Sequence, residues 1–579
     1  MPEQINISSE VGMIWESAEI LRDAYKRHEY QSIILPFVVL RRIESVMLEK
    51  REGITAELGG ALSKYQPKER SKVVSEKVRT SLGFDNTSEF TLEKLANEKE
   101  TAIKENFRAY LNGYTPNIQE IMQNFKLHEK MNDLDKHKLL YPLVKQYSIM
   151  PLSPDKVSNL KMGYIFEELI RKFAEASNEE AGEHFTPREI IRLMVELVID
   201  DDPIKPGELK CIYDPACGTG GMLTEARNYI LDEKKIKAII ALYGQEINPE
   251  TYAICASDML LKGVKSDIKR ENTLTHDLLP DEQFDYMLSN PPFGKDWKKD
   301  KPTIEVDTSG RFNKDMLPRV SDGSTLFLMQ MISKMKTQNE GGSSIAIVFN
   351  GSPLFTGDAG SGESNFRKHL LENDLLEAIV ALPTELFYNT GIATYVWVIR
   401  NKKEARRKGK VQLINAVDFS VKMKKSLGNK RNEISPQQIK QIAEIYRSFK
   451  EGEYCKIFDK EDFGYTRVSL ELSELDEKGK PVIEKVTVTR KGKDVEIERE
   501  KKTKDEEYVP LKQDIDMYLK KEVEKPYVVL SRDDVGYEIN FTQYFYKYKP
   551  LRPTEEIAKD ITKLETESQK LMKELGMMK

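Results

Sequence analysis

The sequence is poor in cysteine, histidine and tryptophan, with four, six and three of these residues among 579. The cysteines form no CxxC pair and no other spacing typical of a metal site; they are Cys211, Cys217, Cys255 and Cys455. We therefore expect no metal centre, and reduced, mostly buried thiols in a cytoplasmic protein.

Long apolar runs are also absent. The longest, at residues 33–40, is interrupted by Pro36 and falls far short of the roughly 20 residues that a membrane helix needs. Near the N-terminus, Glu3 and polar residues occupy the place where a secretory signal would carry a basic region and an apolar stretch. These absences predict a cytoplasmic protein with no membrane partner.

The chain lacks a basic excess, since 90 lysines and arginines face 95 aspartates and glutamates and the net charge is −5. Proteins dedicated to nucleic-acid binding usually carry a clear positive charge. Any contact with nucleic acid must therefore be local, or shared with a partner. The length suffices for three or four domains of roughly 100–200 residues each.

The pattern of apolar residues changes along the chain. Residues 1–155 carry apolar positions at helical spacing and are expected to form an all-α N-terminal domain. Residues 156–420 alternate predicted strands and helices, the pattern of a mostly parallel α/β sheet. Residues 421–550 are predicted to form a C-terminal extension, with a charged, solvated hairpin insertion at 466–508.

The last region, residues 551–579, is predicted to form a short coiled-coil-like helix. Its apolar positions recur at alternating intervals of four and three around Ser568, and they are Ile557, Ile561, Leu564, Leu571 and Leu575. A helix with so few heptads is marginal alone, so we expect a helical partner in this chain or in another.

A glycine-rich turn, Asp-Pro-Ala-Cys-Gly-Thr-Gly-Gly at 214–221, follows the first strand of the predicted sheet. Its glycines let the backbone approach a ligand, and the next helix offers unpaired N–H groups. The turn matches neither a P-loop nor GxGxxG. Asp214 suits a cationic amino group, while Glu246, at the end of the second strand, suits ribose hydroxyls. S-adenosylmethionine fits both signals.

A second motif, Asn290-Pro291-Pro292-Phe293, ends the fourth predicted strand. The two prolines remove two N–H donors and fix two φ angles, and Pro291 keeps Asn290 out of the helical region. The motif thus presents a side-chain amide, a carbonyl and an aromatic ring at the edge of a sheet, where α/β folds bind ligands. A strand followed by a plain Pro-Pro loop is the alternative.

Together the two motifs resemble those of the amino-group DNA methyltransferases, and the chain resembles the modification (M) subunit of type I restriction–modification systems. The resemblance covers nearly the whole chain and includes Ile14-Trp15, Leu40-Arg41-Arg42, and the segments 182–188, 382–392 and 536–541. It implies a Rossmann-like S-adenosylmethionine-dependent methyltransferase core with an all-α N-terminal domain and a C-terminal helical extension. The tetrapeptide alone is less specific, since glutamine methyltransferases of release factors carry a similar one.

The family's reaction is methylation of the N6 amino group of adenine in DNA. Asn290 and the Pro291 carbonyl are expected to accept the two N–H groups of an adenine that is flipped out of the duplex. Phe293, beside Pro292, is expected to stack on this base. Phe387 is a weaker candidate for the opposite face. Core packing is the alternative for both rings.

For the cofactor, the resemblance implies a set of residues along the predicted sheet edge. They are Phe185 and Thr186 near the methionine, Asp214, Gly218, Thr219 and Gly220 around the amino acid, Glu246 on the ribose and Asn272 near the adenine. Asn272 replaces the aspartate that the family often carries there. Thr186, Pro187 and Glu189 also form the sequence pattern of a helix capping box.

No segment resembles a target-recognition domain, so the sequence of the DNA must be read elsewhere. Lys295 and Lys298 are candidates for DNA phosphates. The resemblance implies a separate specificity (S) subunit, which the C-terminal helix could bind, together with a second M subunit and a restriction (R) subunit. Two alternatives stay open: a non-catalytic scaffold that binds S-adenosylmethionine, and a protein glutamine methyltransferase.

Overall fold

The computed structural model describes residues 7–177, 186–200, 202–387, 391–427, 429–490, 493–546 and 553–574. The chain divides into two compact units, one ending at Ile539 and the other beginning at Asn540.

The α-helices of the described residues, in chain order, are α1 (Ser8–Trp15), α2 (Ser17–Leu21), α3 (Gln31–Leu58), α4 (Pro67–Leu82), α5 (Leu92–Ala96), α6 (Ile103–Asn112), α7 (Pro116–Asn124), α8 (Leu127–Lys136), α9 (Leu140–Ser148), α10 (Asn159–Ser177), α11 (Arg188–Ile199), α12 (Gly221–Asn228), α13 (Pro249–Leu261), α14 (Lys301–Ile304), α15 (Ser324–Ser333), α16 (Ser352–Phe355), α17 (Gly362–Glu372), α18 (Pro436–Ser448), α19 (Ile515–Glu522), α20 (Phe541–Phe545) and α21 (Thr554–Glu574).

The β-strands are β1 (Leu209–Asp214), β2 (Ile239–Glu246), β3 (Ser266–Arg270), β4 (Tyr286–Ser289), β5 (Ser344–Asn350), β6 (Leu376–Ala381), β7 (Thr394–Arg400), β8 (Lys410–Asn415), β9 (Val421–Leu427), β10 (Lys430–Glu433), β11 (Cys455–Asp459), β12 (Gly464–Ser473), β13 (Ile483–Arg490), β14 (Lys493–Glu500), β15 (Lys502–Pro510) and β16 (Tyr527–Tyr537).

Helices α1–α10 pack around one apolar cluster, as the helical spacing predicts. The apolar run at 33–40 is buried within α3, which contains Pro36 and continues to Leu58. No helix in the described part of the chain has the length and apolar character needed to cross a membrane.

The central sheet has nine strands in the order β11-β8-β6-β7-β5-β4-β1-β2-β3. Strands β5-β4-β1-β2-β3 are parallel to one another, and β7 runs antiparallel to both β5 and β6. The sheet is mostly parallel, and β6 and β7 pair as the predicted hairpin. From β1 the chain continues through β2 to β3 at one edge of the sheet, whereas β4 and the later strands of the sheet lie on the other side of β1. Ligands of α/β sheets bind at such a switch point, beyond the carboxyl ends of the strands.

Helix α13, between β2 and β3, joins the helical region to the sheet. Ala253 and Ile254 belong to the cluster of the N-terminal helices, whereas Cys255 and Met259 belong to the cluster that covers the sheet. The helical region therefore packs directly on the crossover that follows the acidic end of β2.

The extension between β11 and Ile539 is more structured than a solvated hairpin. Strands β15, β12 and β16 form an antiparallel sheet whose inner face packs with α19 through Val468, Leu470, Val509 and Leu519. Strands β13 and β14 form a separate two-stranded antiparallel sheet. The prediction for 466–508 was incomplete because β12 buries alternate residues against segments distant in sequence.

In the second unit, α21 confirms the predicted helix over 554–574. Ile557, Ile561, Leu564 and Leu571 are exposed along it.

Candidate active site

The switch point lies between β1 and β4, whose carboxyl ends carry the two predicted motifs. A cavity of about 320 Å³ opens there. Of the residues expected at the site, its walls include Thr186, Asp214, Gly218, Thr219, Glu246, Asn272, Asn290, Pro292 and Lys295. The structure therefore brings together residues from four strand ends that are separated by long stretches of sequence.

Glu246 fixes the glycine-rich turn to the end of β2. Its Oε2 accepts the Gly218 N–H at 2.9 Å, and its Oε1 accepts the Asn248 N–H at 2.8 Å. The side chain is 7% exposed and borders the cavity. A carboxylate has about four acceptor positions, so it can hold a loop and still bind hydroxyl groups of a ligand.

Asp214 lies deeper, with 2% of its surface exposed. Its Oδ1 accepts hydrogen bonds from the Ala216 N–H at 3.0 Å and from the Ser289 hydroxyl at 2.9 Å. Burial raises the pKa of Asp214 to about 7, and the nearby charge of Glu246 acts in the same direction. A ligand ammonium group would reverse this effect by favouring the charged carboxylate.

Gly220 has a different role from the other glycines of the turn. Its φ is +81°, and a Cβ at this position would lie 2.7 Å from Cys255 Sγ. The residue faces α13 and is absent from the cavity wall. Glycine is required here for the left-handed backbone and for close packing of α12 and α13.

Asn290 presents an acceptor that no described residue satisfies. Its Oδ1 is buried and has no hydrogen-bond partner within the structure. An unpaired buried acceptor costs about 1–3 kcal/mol. Asn290 follows the buried strand β4, and the next residue, Pro291, is also buried. An amine of a ligand would supply the missing donor.

Two further residues of the cavity wall, Asp300 and Trp297, were missed by the sequence analysis. Asn272 Nδ2 donates to Asp300 Oδ1 at 3.0 Å, which ties the end of β3 to the chain that follows the Asn-Pro-Pro-Phe motif. Burial raises the pKa of Asp300. No local sequence pattern marks these residues, because they border the cavity only when the segment 294–323 folds back against it.

Some predicted residues lie away from the cavity. Phe387 is 2% exposed and packs in the sheet cluster, as its packing alternative predicts. Phe293 is half-buried beside the same cluster. Lys298 is exposed outside the cavity wall. Phe185 lies outside the described residues.

The predicted capping box at the start of α11 is wrong. The helix begins at Arg188, Pro187 is its N-cap, and no side chain caps it. Glu189 instead forms an ion pair with the buried Lys430. This ion pair, formed across 241 residues, keeps the Glu189 carboxylate from closing the box on Thr186.

A mostly parallel sheet with a glycine-rich turn and an acidic strand end at its switch point defines the class of S-adenosylmethionine-dependent methyltransferases. Residues 158–476 match the N-6 DNA Methylase family, and residues 11–146 match the HsdM N-terminal domain. The chain therefore belongs to the N-6 DNA methylase family, and its reaction is S-adenosylmethionine-dependent methylation of adenine N6 in DNA.

Individual relatives agree with this. The type I restriction enzyme MjaIX methylase subunit of Methanocaldococcus jannaschii is 27% identical over 464 residues, which cover 76% of this chain and 77% of the relative. The EcoEI methylase subunit of Escherichia coli is 33% identical over 269 residues, 45% of this chain and 50% of the relative. The type I methyltransferase subunit of Streptococcus thermophilus superposes with a TM-score of 0.65 at 23% identity, over 79% and 96% of the two chains, which shows a shared fold.

Proposed function

We propose that Asn290 and Pro291 hold the exocyclic amine of a flipped-out adenine, in a subunit that methylates DNA whose sequence a separate specificity subunit reads. The observation that carries the proposal is the buried, unpartnered Oδ1 of Asn290 at the cavity wall. The residues of the cavity also fit the cofactor, because the glycine-rich turn lies beside two carboxyl groups, the buried Asp214 and Glu246 at the end of β2.

When bound, S-adenosylmethionine supplies an electrophilic methyl group on a sulfonium centre. The chain's own residues would orient it. The Asp214 carboxylate suits the ammonium group of the amino acid, and the Glu246 carboxylate suits the ribose hydroxyls. Their hydrogen bonds to Ser289 and Gly218 keep both carboxylates in place before the ligand arrives.

The exocyclic amine of adenine is a weak nucleophile because its lone pair is delocalised into the ring. Asn290 Oδ1 and the Pro291 carbonyl would each accept one N–H, draw the nitrogen towards tetrahedral geometry and direct its lone pair at the methyl group. Catalysis is then mainly orientation and polarisation of the amine. The amine is not reachable within a duplex, so the base must leave the stack.

Contacts with DNA and partners complete the proposal. Lys295 and Lys298 are exposed immediately after the motif and would meet phosphates. The exposed apolar positions of α21 would pack against the specificity subunit. The MjaIX and EcoEI proteins are named methylase subunits of type I restriction enzymes, which supports a complex with a specificity subunit, a second M subunit and a restriction subunit.

The test is transfer of labelled methyl groups to duplex DNA by the full chain together with its specificity subunit, followed by identification of the modified base. We expect N6-methyladenine from the wild-type complex and at least a hundredfold lower kcat from Asn290→Ala, with unchanged binding of S-adenosylhomocysteine. Asn313→Ala, a change of the same type at the exposed N-cap of a short 3-10 helix, is the matched control.

Equal turnover by Asn290→Ala would contradict the assigned role. Binding of the cofactor without turnover in any complex would support a scaffold instead. Methylation of a release-factor peptide would support a glutamine methyltransferase.

A further inference from the structure

One end of the cavity lies where β2 and β3 finish. If Glu246 holds the ribose, the base of the nucleoside must extend towards the neighbouring strand end, at Asn272. The cavity wall also includes the apolar side chains Ile247, Leu274 and Phe327. Adenine also carries a donor, its 6-amino group, and a site that recognises this group needs an acceptor.

Asn272 is poorly placed to be that acceptor. Its Oδ1 accepts the Leu274 N–H at 3.0 Å, so the amide orientation is set by the backbone of its own turn. The opposite end of the amide, Nδ2, donates to Asp300 Oδ1 at 3.0 Å. Asn272 therefore directs a donor along the cavity wall, and this donor positions the carboxylate of Asp300.

Asp300 is itself held by its backbone. Its N–H donates to the Trp297 carbonyl at 3.0 Å, and its carbonyl accepts the N–H groups of Thr303 and Ile304 in α14, both at 3.0 Å. The side chain borders the cavity and is only partly exposed. Within the part of the chain that the structure describes, no group donates a hydrogen bond to its second oxygen, Oδ2.

The segment that carries Asp300 is also fastened to the end of β3. Arg311 Nη1 donates to the Thr273 carbonyl at 2.9 Å, and Thr273 Oγ1 donates to the Pro215 carbonyl at 2.6 Å. The loop after the catalytic motif, the end of β3 and the glycine-rich turn thus form one connected wall. Asp300 has a fixed position in this wall relative to the cofactor turn.

We propose that Asp300 is the residue that recognises the adenine base of the cofactor, by accepting a hydrogen bond from its 6-amino group. The inference rests on the assignment of S-adenosylmethionine to this cavity. A carboxylate on the loop after the catalytic motif then takes the role that a third-strand acidic residue would otherwise have. The same carboxylate disfavours a 6-oxo base, which would place an acceptor against an acceptor.

The test is the binding of two product analogues, S-adenosylhomocysteine and S-inosylhomocysteine, to the purified full chain by titration calorimetry without DNA. We expect the wild type to bind the adenosyl compound at least tenfold more tightly. Asp300→Asn should lower this ratio about tenfold, because its amide can donate to the 6-oxo group. Asp300→Ala should weaken the adenosyl compound about tenfold and leave the inosyl compound unchanged.

Two further variants make the result specific. Asp281→Asn is the matched control, because it makes the same chemical change at an exposed loop position outside the cavity wall, and it should retain the wild-type ratio. Glu271→Gln tests another carboxylate of the cavity wall, on the residue next to Asn272. Melting curves of each variant show whether it is folded.

The outcomes separate the inference from the cofactor assignment. If the wild type binds neither compound, the assignment of the cavity to S-adenosylmethionine fails. If it binds the adenosyl compound tightly and the Asp300 variants keep the wild-type ratio, the role of Asp300 is overturned. A loss of discrimination in Glu271→Gln alone would overturn it as well. A loss of discrimination between the two compounds in the Asp300 variants alone supports the role of Asp300.

Discussion

The Ser289 hydroxyl donates a hydrogen bond to Asp214 Oδ1 over 2.9 Å, between the carboxyl ends of the adjacent strands β4 and β1. Ser289 is fully buried and directly precedes Asn290, while Asp214 opens the glycine-rich turn. One hydrogen bond thus joins the residue before the Asn-Pro-Pro-Phe motif to the carboxyl group that opens the glycine-rich turn. Under the proposed roles of Asn290 and Asp214, this contact would couple the placement of the two substrates.

Removal of the contact should weaken the binding of the cofactor. Ser289→Ala deletes a hydrogen bond that lowers the pKa of Asp214, so the pKa should rise further above its ordinary value. With a net contribution of about 0.5–1.5 kcal/mol for such a bond, we expect KM for S-adenosylmethionine at pH 7 to rise about two- to tenfold. Steady-state kinetics measure this, and Ser333→Ala, outside the cavity wall, is the control. An unchanged KM would contradict the coupling.

Cofactor binding should depend on pH near neutrality. Because the pKa of Asp214 is raised to about 7, the carboxyl is largely protonated at pH 6 and largely ionised at pH 8. Only the ionised form attracts the cofactor's ammonium group, so affinity should rise as the pH increases from 6 to 8. Titration of S-adenosylhomocysteine at several pH values measures this, and Asp214→Asn should bind weakly with no such dependence.

The same group affects the stability of the ligand-free protein in the opposite direction. A carboxyl whose folded pKa is raised stabilises the fold at acidic pH, and this stabilisation is lost as the pH rises through about 7. The increase in Tm caused by S-adenosylhomocysteine should therefore be larger at pH 8 than at pH 6. An equal increase at both values would argue against Asp214 as the ammonium site.

Gly220→Ala should destabilise the protein more than the same change at another left-handed glycine. Both Gly220 (φ +81°) and Gly310 (φ +83°) require a left-handed backbone, but only Gly220 lacks room for a Cβ. Strain costs about 1–2 kcal/mol at each site, and overpacking adds about 1–3 kcal/mol at Gly220. Urea unfolding of the two variants measures the difference, and equal losses would contradict the packing role.

Substitutions of Phe293 and Phe387 should have different effects, the first on turnover and the second on stability. Phe293 is the last residue of the motif and is half-buried, so Phe293→Ala should remove stacking worth about 1–3 kcal/mol and reduce methyl transfer. Phe387 is buried in the core, so Phe387→Ala should cost about 3–5 kcal/mol of stability. Turnover and urea unfolding of both variants check this. Normal turnover by a folded Phe293→Ala would leave Phe293 with a packing role.

Local chemistry made much of the site predictable. Glycines at 218 and 220 and prolines at 291 and 292 constrain the backbone wherever they stand, so both turns could be located without a structure. The buried strands of the parallel sheet are nearly continuous apolar runs, which made the strand order along the chain clear. The prediction of a capping box was wrong because the Glu189 carboxylate forms an ion pair with Lys430, which is distant in the sequence.

By itself, the sequence determined the mostly parallel sheet, the two motifs at its strand ends and the helical regions that precede and follow it along the chain. These features depend on hydrophobic periodicity and on backbone constraints within a few residues. Only the tertiary structure decided that β1 lies beside β4, that Ser289 contacts Asp214 and that Asp300 returns to the end of β3. Such contacts join residues that are 28 to 75 positions apart, and their energy depends on the packing of the whole sheet, which no local pattern records.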